Sequence, residues 1–255
     1  MLKPLLRRTL ASLGYSLRKT QTELEVNGIP RDIDDPAFLK LYERFGAYSM
    51  TGPQAMFALY KALEYIQHNN IQGDFVECGV WRGGNGMLMA AMLDHFGDTQ
   101  RKIYLYDTFE GMTEPGAPDV ELFGHHARER LQKESKQQAD SVWCVASLEE
   151  VQHNIHVEKL NPERFVFVQG RVEATIPQTI PNRIALLRLD TDWYESTRHE
   201  LLHLYPLLSA QGVLIVDDYG HWKGARKATD EYFQTLERIP LLQRIDYSVR
   251  FAIKP

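Results

Sequence analysis

The run Asp74-Phe75-Val76-Glu77-Cys78 feeds without a spacer into Gly79-Val80-Trp81-Arg82-Gly83-Gly84 and then into a stretch rich in Met, Leu and Ala. No other part of the sequence constrains the fold as tightly. Five residues centred on Phe and Val read as a short buried strand, the glycines as a tight turn, and the Met-Leu-Ala stretch as a helix. Further candidate strands lie at residues 102–106, 164–168, 184–189 and 213–216, with helical or mixed segments between them. Strands that alternate with helices imply right-handed crossovers, so the expectation is an α/β domain with a mainly parallel sheet and helices on both faces. Residues 248–253 alternate in the manner of a late strand, antiparallel at the sheet edge.

With 255 residues, 44% of them hydrophobic, one α/β domain with appendages accounts for the length. The expected division is a helical N-terminal extension over residues 1–50 and an α/β domain over 51–255. The extension is basic, and its Leu2, Leu5, Leu6, Leu10 and Leu13 fall in runs too short and interrupted for a secretory core or a membrane span. Those leucines need a surface to cover, which predicts a homodimer or higher homo-oligomer. Thr51-Gly52-Pro53-Gln54 predicts a helix start with Thr51 as N-cap and Gln54 at the capping-box position, followed by an apolar face of Met56, Leu59, Tyr60, Leu63 and Ile66. Residues 111–141, with two prolines, the adjacent His125 and His126, and many charges, are longer than a connection needs and read as a lid insertion. The alternative is a solvated helix over 125–138. A net charge of −5 gives no bulk attraction to phosphate backbones, so nucleic acid is not an expected partner. Cys78 and Cys144 form neither a disulfide framework nor a Cys-x-x-Cys metal spacing, which fits a reducing cytoplasm.

In open α/β sheets ligands bind beyond the carboxyl ends of the strands, and here those ends are acidic: Glu77, Asp107, Asp190-Thr191-Asp192 and Asp217-Asp218. A glycine turn followed by an acid after the second strand suits a nucleoside, because Asp107 can accept hydrogen bonds from both ribose hydroxyls. The turn is not the G-x-G-x-x-G dinucleotide pattern, which favours a cofactor without a pyrophosphate. Asp190 lies 27 and 28 residues before Asp217 and Asp218, and adjacent parallel strands would bring the three together. Ionised carboxylates so crowded call for a cation, and an all-oxygen set suits Mg²⁺. The bland alternative is a group of solvated loop carboxylates and helix caps.

The segments Phe75 to Gly84, Tyr106-Asp107-Thr108-Phe109-Glu110-Gly111-Met112 and Asp217-Asp218-Tyr219-Gly220-His221-Trp222 resemble the macrocin O-methyltransferase family. The resemblance implies a class I methyltransferase fold, S-adenosylmethionine as donor, required Mg²⁺, and transfer to a hydroxyl of a small acceptor such as a deoxysugar or other secondary metabolite. It further implies that Glu77, Gly79 and the Arg82-Gly83-Gly84 turn cradle the methionine part of the donor and that Asp107, with Thr108 beside it, holds the ribose. Asp190, Asp217 and Asp218 match its metal ligands, and the segment containing Met50 and Thr51 matches one that closes over the donor. Residues 143–147 or 170–173 would border the adenine. Proton removal from the acceptor hydroxyl falls to Asp190 or Asp192, with His221 the other candidate because imidazole titrates near neutrality. Two readings compete: an NAD-dependent oxidoreductase or epimerase, which does not need the late double aspartate, and a non-catalytic module that retains the donor pocket.

Overall fold

A computed structural model describes residues 25–136 and 141–255 of the chain. It falls into two compact units that divide between Asp34 and Asp35. In the first, β1 (Glu25–Val26) and β2 (Ile29–Pro30) pair antiparallel. Their two-residue connection, Asn27-Gly28, takes positive φ at both positions, as a type I′ hairpin turn requires. The helix expected over the earlier part of the extension lies outside the described residues.

The second unit opens with α1 (Pro36–Phe45), capped by the Asp35 carboxylate, which accepts from the backbone N–H groups of Ala37 and Phe38. α2 (Pro53–His68) buries Met56, Leu59, Leu63 and Ile66 along one face. Its N-cap is Gly52 and not Thr51, with Pro53 in the first helical turn and no side-chain cap. The Thr51 hydroxyl is engaged elsewhere, on Arg188 and Asn85.

The sheet then builds in α/β alternation: β3 (Asp74–Cys78), α3 (Gly84–His95), β4 (Ile103–Asp107), β5 (Phe165–Gln169), β6 (Ile184–Leu189) and β7 (Leu208–Val216). The outer pair is β8 (Gln243–Arg244) and β9 (Arg250–Ile253). Strand order is β5-β4-β3-β6-β7-β9-β8, parallel from β5 to β7, with β9 antiparallel to both of its neighbours. The late strand is thus antiparallel as its alternation suggests, one place in from the edge. Between the strands lie α4 (Ala127–Lys133), α5 (Leu148–Val157), α6 (Val172–Thr175), α7 (Tyr194–Leu204) and α8 (Lys223–Phe233).

β6 is buried along its whole length, including Arg188, and its register sets Leu189 beside both Cys78 and Val216. Backbone bonds carry this register past the strand ends, from Gly79 to Tyr106, Asp190 to Cys78 and Asp217 to Leu189. The acidic ends of β3, β4, β6 and β7 are therefore fixed side by side. The insertion after β4 contains the short α4 instead of a helix over 125–138, and it is tied down by pairing of Glu121 with Trp222 and by the Leu122 N–H on the His221 carbonyl. No helix among the described residues is long and apolar enough to cross a membrane.

Candidate active site

A cleft of about 380 Å³ opens at the carboxyl ends of β3, β4, β6 and β7, within the range of small-molecule sites. Its floor begins at Gly79, whose φ is +85° and where a Cβ would come within 1.9 Å of the Asp190 carbonyl oxygen. Only glycine lets these two loops touch. Beside it, the Asp107 carboxylate accepts from the backbone N–H groups of Val80, Trp81 and Phe109 at 2.7, 3.3 and 2.8 Å. Burial raises the Asp107 pKa and these bonds oppose the rise, leaving it above the ordinary aspartate value.

Opposite stand the carboxylates of β6 and β7. Asp190, Asp192 and Asp218 bring one oxygen each within 4.8 Å of the others. Asp192 has φ of +66°, a left-handed conformation that aspartate tolerates better than most side chains. Asp218 is nearly buried, and its Oδ2 has no hydrogen-bond partner among the described residues. Burial raises the pKa of Asp192, Asp217 and Asp218, and the mutual repulsion of these acids adds to the rise. An orphaned buried oxygen in an all-oxygen donor set fits a hard divalent cation.

Asp217 has a different partner. Its Oδ1 accepts from Arg188 Nη2 at 2.5 Å, while Arg188 Nη1 reaches Asp190 Oδ2 at 2.6 Å and Glu77 Oε1 at 3.0 Å. Arg188 Nη2 also donates to Thr51 Oγ1 at 2.8 Å. A guanidinium only 1% exposed thus binds three acids from three strands and the segment before α2. The sequence argument that the acids need a cation omitted it. Its signal was present as a lone arginine inside an otherwise apolar strand, which cannot be buried without acidic partners.

Several expected residues line the cleft: Met50, Thr51, Gly79, Asp107 and Thr108, together with Asp190, Asp192, Asp217, Asp218 and His221. Of the segments expected around adenine, residues 170–173 line it in full, whereas 143–147 contribute Cys144 alone. Glu77 lies beneath the lining, paired to Arg188, with its pKa raised by burial to about 7. Arg82 turns away to Glu150 at 3.1 Å. Gly83 and Gly84 also stand off the cleft. A Cβ on Gly84 would meet the Tyr48 backbone and Ser49 Cβ at 2.8 Å, so its bareness seats the 48–51 segment. The His221 ring meets Trp222 and Tyr247 edge-on, and its buried Nδ1 has no partner among the described residues. Burial lowers its pKa, which favours the neutral imidazole. Sequence reasoning missed Asn85, which lines the cleft, and Glu200, fully buried behind it, whose Oε1 accepts from Thr191 Oγ1 at 2.9 Å inside the acidic loop.

A family model described as Macrocin-O-methyltransferase (TylF) matches residues 40–252. The 8-demethyl-8-(2,3-dimethoxy-alpha-L-rhamnosyl)-tetracenomycin-C 4'-O-methyltransferase of Streptomyces olivaceus is 34% identical over 215 residues, covering 84% of this chain and 78% of that protein. Among solved structures, the O-methyltransferase NovP is 30% identical, with a TM-score of 0.71 over 81% of this chain and 82% of that one. An O-methyltransferase from Bacillus cereus in complex with SAH, at 12% identity, has a TM-score of 0.52 over 88% of this chain and 94% of that one.

Proposed function

Since the chain belongs to the macrocin-O-methyltransferase family, and is thus an O-methyltransferase of class I fold, we propose that it transfers a methyl group from S-adenosylmethionine to a hydroxyl of a sugar or similar secondary-metabolite acceptor, with Mg²⁺ in the site. The observation that carries this reading is the meeting, in one cleft, of Asp107 and the Gly79 approach with the acidic group of Asp190, Asp192 and Asp218. A rhamnosyl 4'-hydroxyl is the acceptor named for the Streptomyces olivaceus relative, which supports a sugar here. The cytoplasm and a homo-oligomer complete the reading.

Bound S-adenosylmethionine supplies a sulfonium methyl, and bound Mg²⁺ lowers the pKa of an acceptor hydroxyl and fixes its direction. The chain's residues do the rest. Asp107 holds the ribose and Gly79 admits the donor to the strand ends. A carboxylate oxygen of Asp192, which lines the cleft beside Asp190 and Asp218, accepts the hydroxyl proton. The donor held by these residues would supply its methyl carbon to the acceptor oxygen, the carbon–sulfur bond breaking to leave a neutral thioether. Arg188 fixes Asp190 and Asp217 so that both substrates meet in one orientation.

The family resemblance gives Mg²⁺ to Asp190, Asp217 and Asp218, while the observed oxygen cluster has Asp192 in place of Asp217. Titration of Mg²⁺ into Asp192→Asn and Asp217→Asn separates the two: the variant that loses affinity has lost a ligand. For the reaction itself, activity disappears with chelator and returns with Mg²⁺, and Asp190→Asn lowers turnover on the order of 100-fold while calorimetry shows unchanged donor affinity. Full turnover of Asp190→Asn in chelator-treated buffer would overturn the metal reading in favour of a metal-free base such as His221.

A further inference from the structure

The inner face of α7 is polar where it passes behind the acidic loop. Ser196, Thr197 and Glu200 are all buried there, ahead of Leu201 and Leu204, which join the core. Ser196 and Glu200 stand four residues apart and so share one face of the helix. A carboxyl withdrawn from water is costly unless a hydrogen bond offsets the loss. Here the partner is Thr191, whose Oγ1 donates to Glu200 Oε1 at 2.9 Å, while Glu200 Oε2 has no hydrogen-bond partner among the described residues. Burial raises the Glu200 pKa, which favours the neutral carboxyl and adds no charge behind the acids.

Thr191 is held at its main chain as well. Its carbonyl accepts from the Trp193 N–H at 2.7 Å and from Ser196 Oγ at 3.2 Å. The bond from Trp193 closes a three-residue turn centred on Asp192, whose φ of +66° gives the rare and strained form of such a turn. A non-glycine residue keeps that conformation only where its surroundings determine it. Asp190, by contrast, is fixed by contacts of its own, its N–H on the Cys78 carbonyl and its carboxylate on Arg188. α7 thus grips Thr191 at both hydroxyl and carbonyl, and through it the turn that carries Asp192 at the cleft.

We propose that Glu200 is a positioning residue for methyl transfer, acting through Thr191 to hold the strained turn that places Asp192 in the cleft. This inference rests on the reading of the acidic group given above. A methionine at position 200 would fill a similar space without burying an acid, so what the glutamate adds is the bond to Thr191 and not packing.

The test compares Glu200→Met, Thr191→Val, their double variant and Glu200→Gln with the unaltered chain. Crystal structures of Glu200→Met and Thr191→Val show Asp192 released from its left-handed conformation. Mg²⁺ alone, titrated calorimetrically, binds about 10-fold more weakly to both, as loss of one hydrogen bond implies. With a methyl rhamnoside as acceptor, kcat falls on the order of 10–100-fold while the KM of the donor holds. S-adenosylhomocysteine affinity is unchanged, which shows that the variants are folded. The double variant is no worse than either single one, because both remove the same bond. Glu200→Gln, which keeps an oxygen able to accept from Thr191, restores Mg²⁺ affinity and kcat. An unmoved Asp192 with parental Mg²⁺ affinity in Glu200→Met, or parallel losses of Mg²⁺ and S-adenosylhomocysteine affinity, overturns the proposal. If the unaltered chain neither binds Mg²⁺ nor methylates the rhamnoside, the reading of the site fails, and the conformation of Asp192 in the Glu200→Met crystal still decides what Glu200 holds.

Discussion

Arg188 brings a single positive charge into the middle strand of the sheet and binds Glu77, Asp190 and Asp217 with it. Removing it strands three acids in a low-dielectric interior, so Arg188→Met is expected to destabilise the protein by about 3–5 kcal/mol, the usual cost of breaking a buried ion pair from one side. Urea unfolding followed by circular dichroism measures this. A variant as stable as the parent would mean that the acids are protonated and the guanidinium redundant. At this scale the acids were legible in sequence because they stand where β3, β4, β6 and β7 end, and strand ends are where such folds place their chemistry. Arg188 was harder to read, since it sits in an otherwise apolar run and two of its three acidic partners are 111 residues upstream and 29 downstream. Asn85 and Thr51 were harder still: the local signal marked Thr51 as a helix cap, and only the tertiary pairing with Arg188 reassigns its hydroxyl.

Asp119 joins the insertion after β4 to the start of α7. Asp119 is fully buried, its Oδ1 accepting from the Tyr194 N–H at the start of α7 and its Oδ2 from the Gly116 N–H, at 2.8 and 2.6 Å. The Trp193 indole adds a bond to the Thr113 carbonyl at 3.1 Å, and Trp193 and Trp222 pack edge to face under the segment. Asp119→Ala leaves two N–H groups unpaired, and the expected result is faster limited proteolysis between residues 113 and 126 and a raised KM for the acceptor, with donor affinity unchanged. An unaltered cleavage rate would show that the tryptophans alone hold the segment. The elements themselves followed closely from the sequence. The β3 and β6 limits agree with the expectation, β4 and β5 are displaced by one residue, and β7 starts five residues earlier. Hydrophobic runs mark a strand's core, whereas its ends depend on neighbours that the run does not reveal. The attachment of the insertion was not legible, because its partners lie on α7 and at the end of β7.

For the molecule as a whole, stability and site chemistry share the same protons. Burial holds the pKa of Glu77 at about 7, against an ordinary 4.5, and raises those of Asp192, Asp217 and Asp218. The folded chain therefore binds protons more tightly than the unfolded one, so stability falls as pH rises from the unfolded carboxylate range through the raised values. The melting temperature of metal-free protein should drop between about pH 5 and pH 8, and Mg²⁺ should lessen the drop by favouring the ionised acids. A melting temperature that climbs over this range would contradict the assignment. Light scattering tests the expected oligomer, and a fully active monomer at micromolar concentration would exclude it. The contact of Gly79 with the Asp190 carbonyl, reinforced by the bond from the Asp190 N–H to Cys78, joins the two halves of the cleft through main chain alone. Side-chain replacement there has little to adjust, whereas the insertion adds to its main-chain bonds the side chains of Asp119, Trp193 and Trp222. Changes confined to the insertion, which lends Met112, Thr113 and Arg130 to the cleft, can thus leave the Gly79–Asp190 junction as it is.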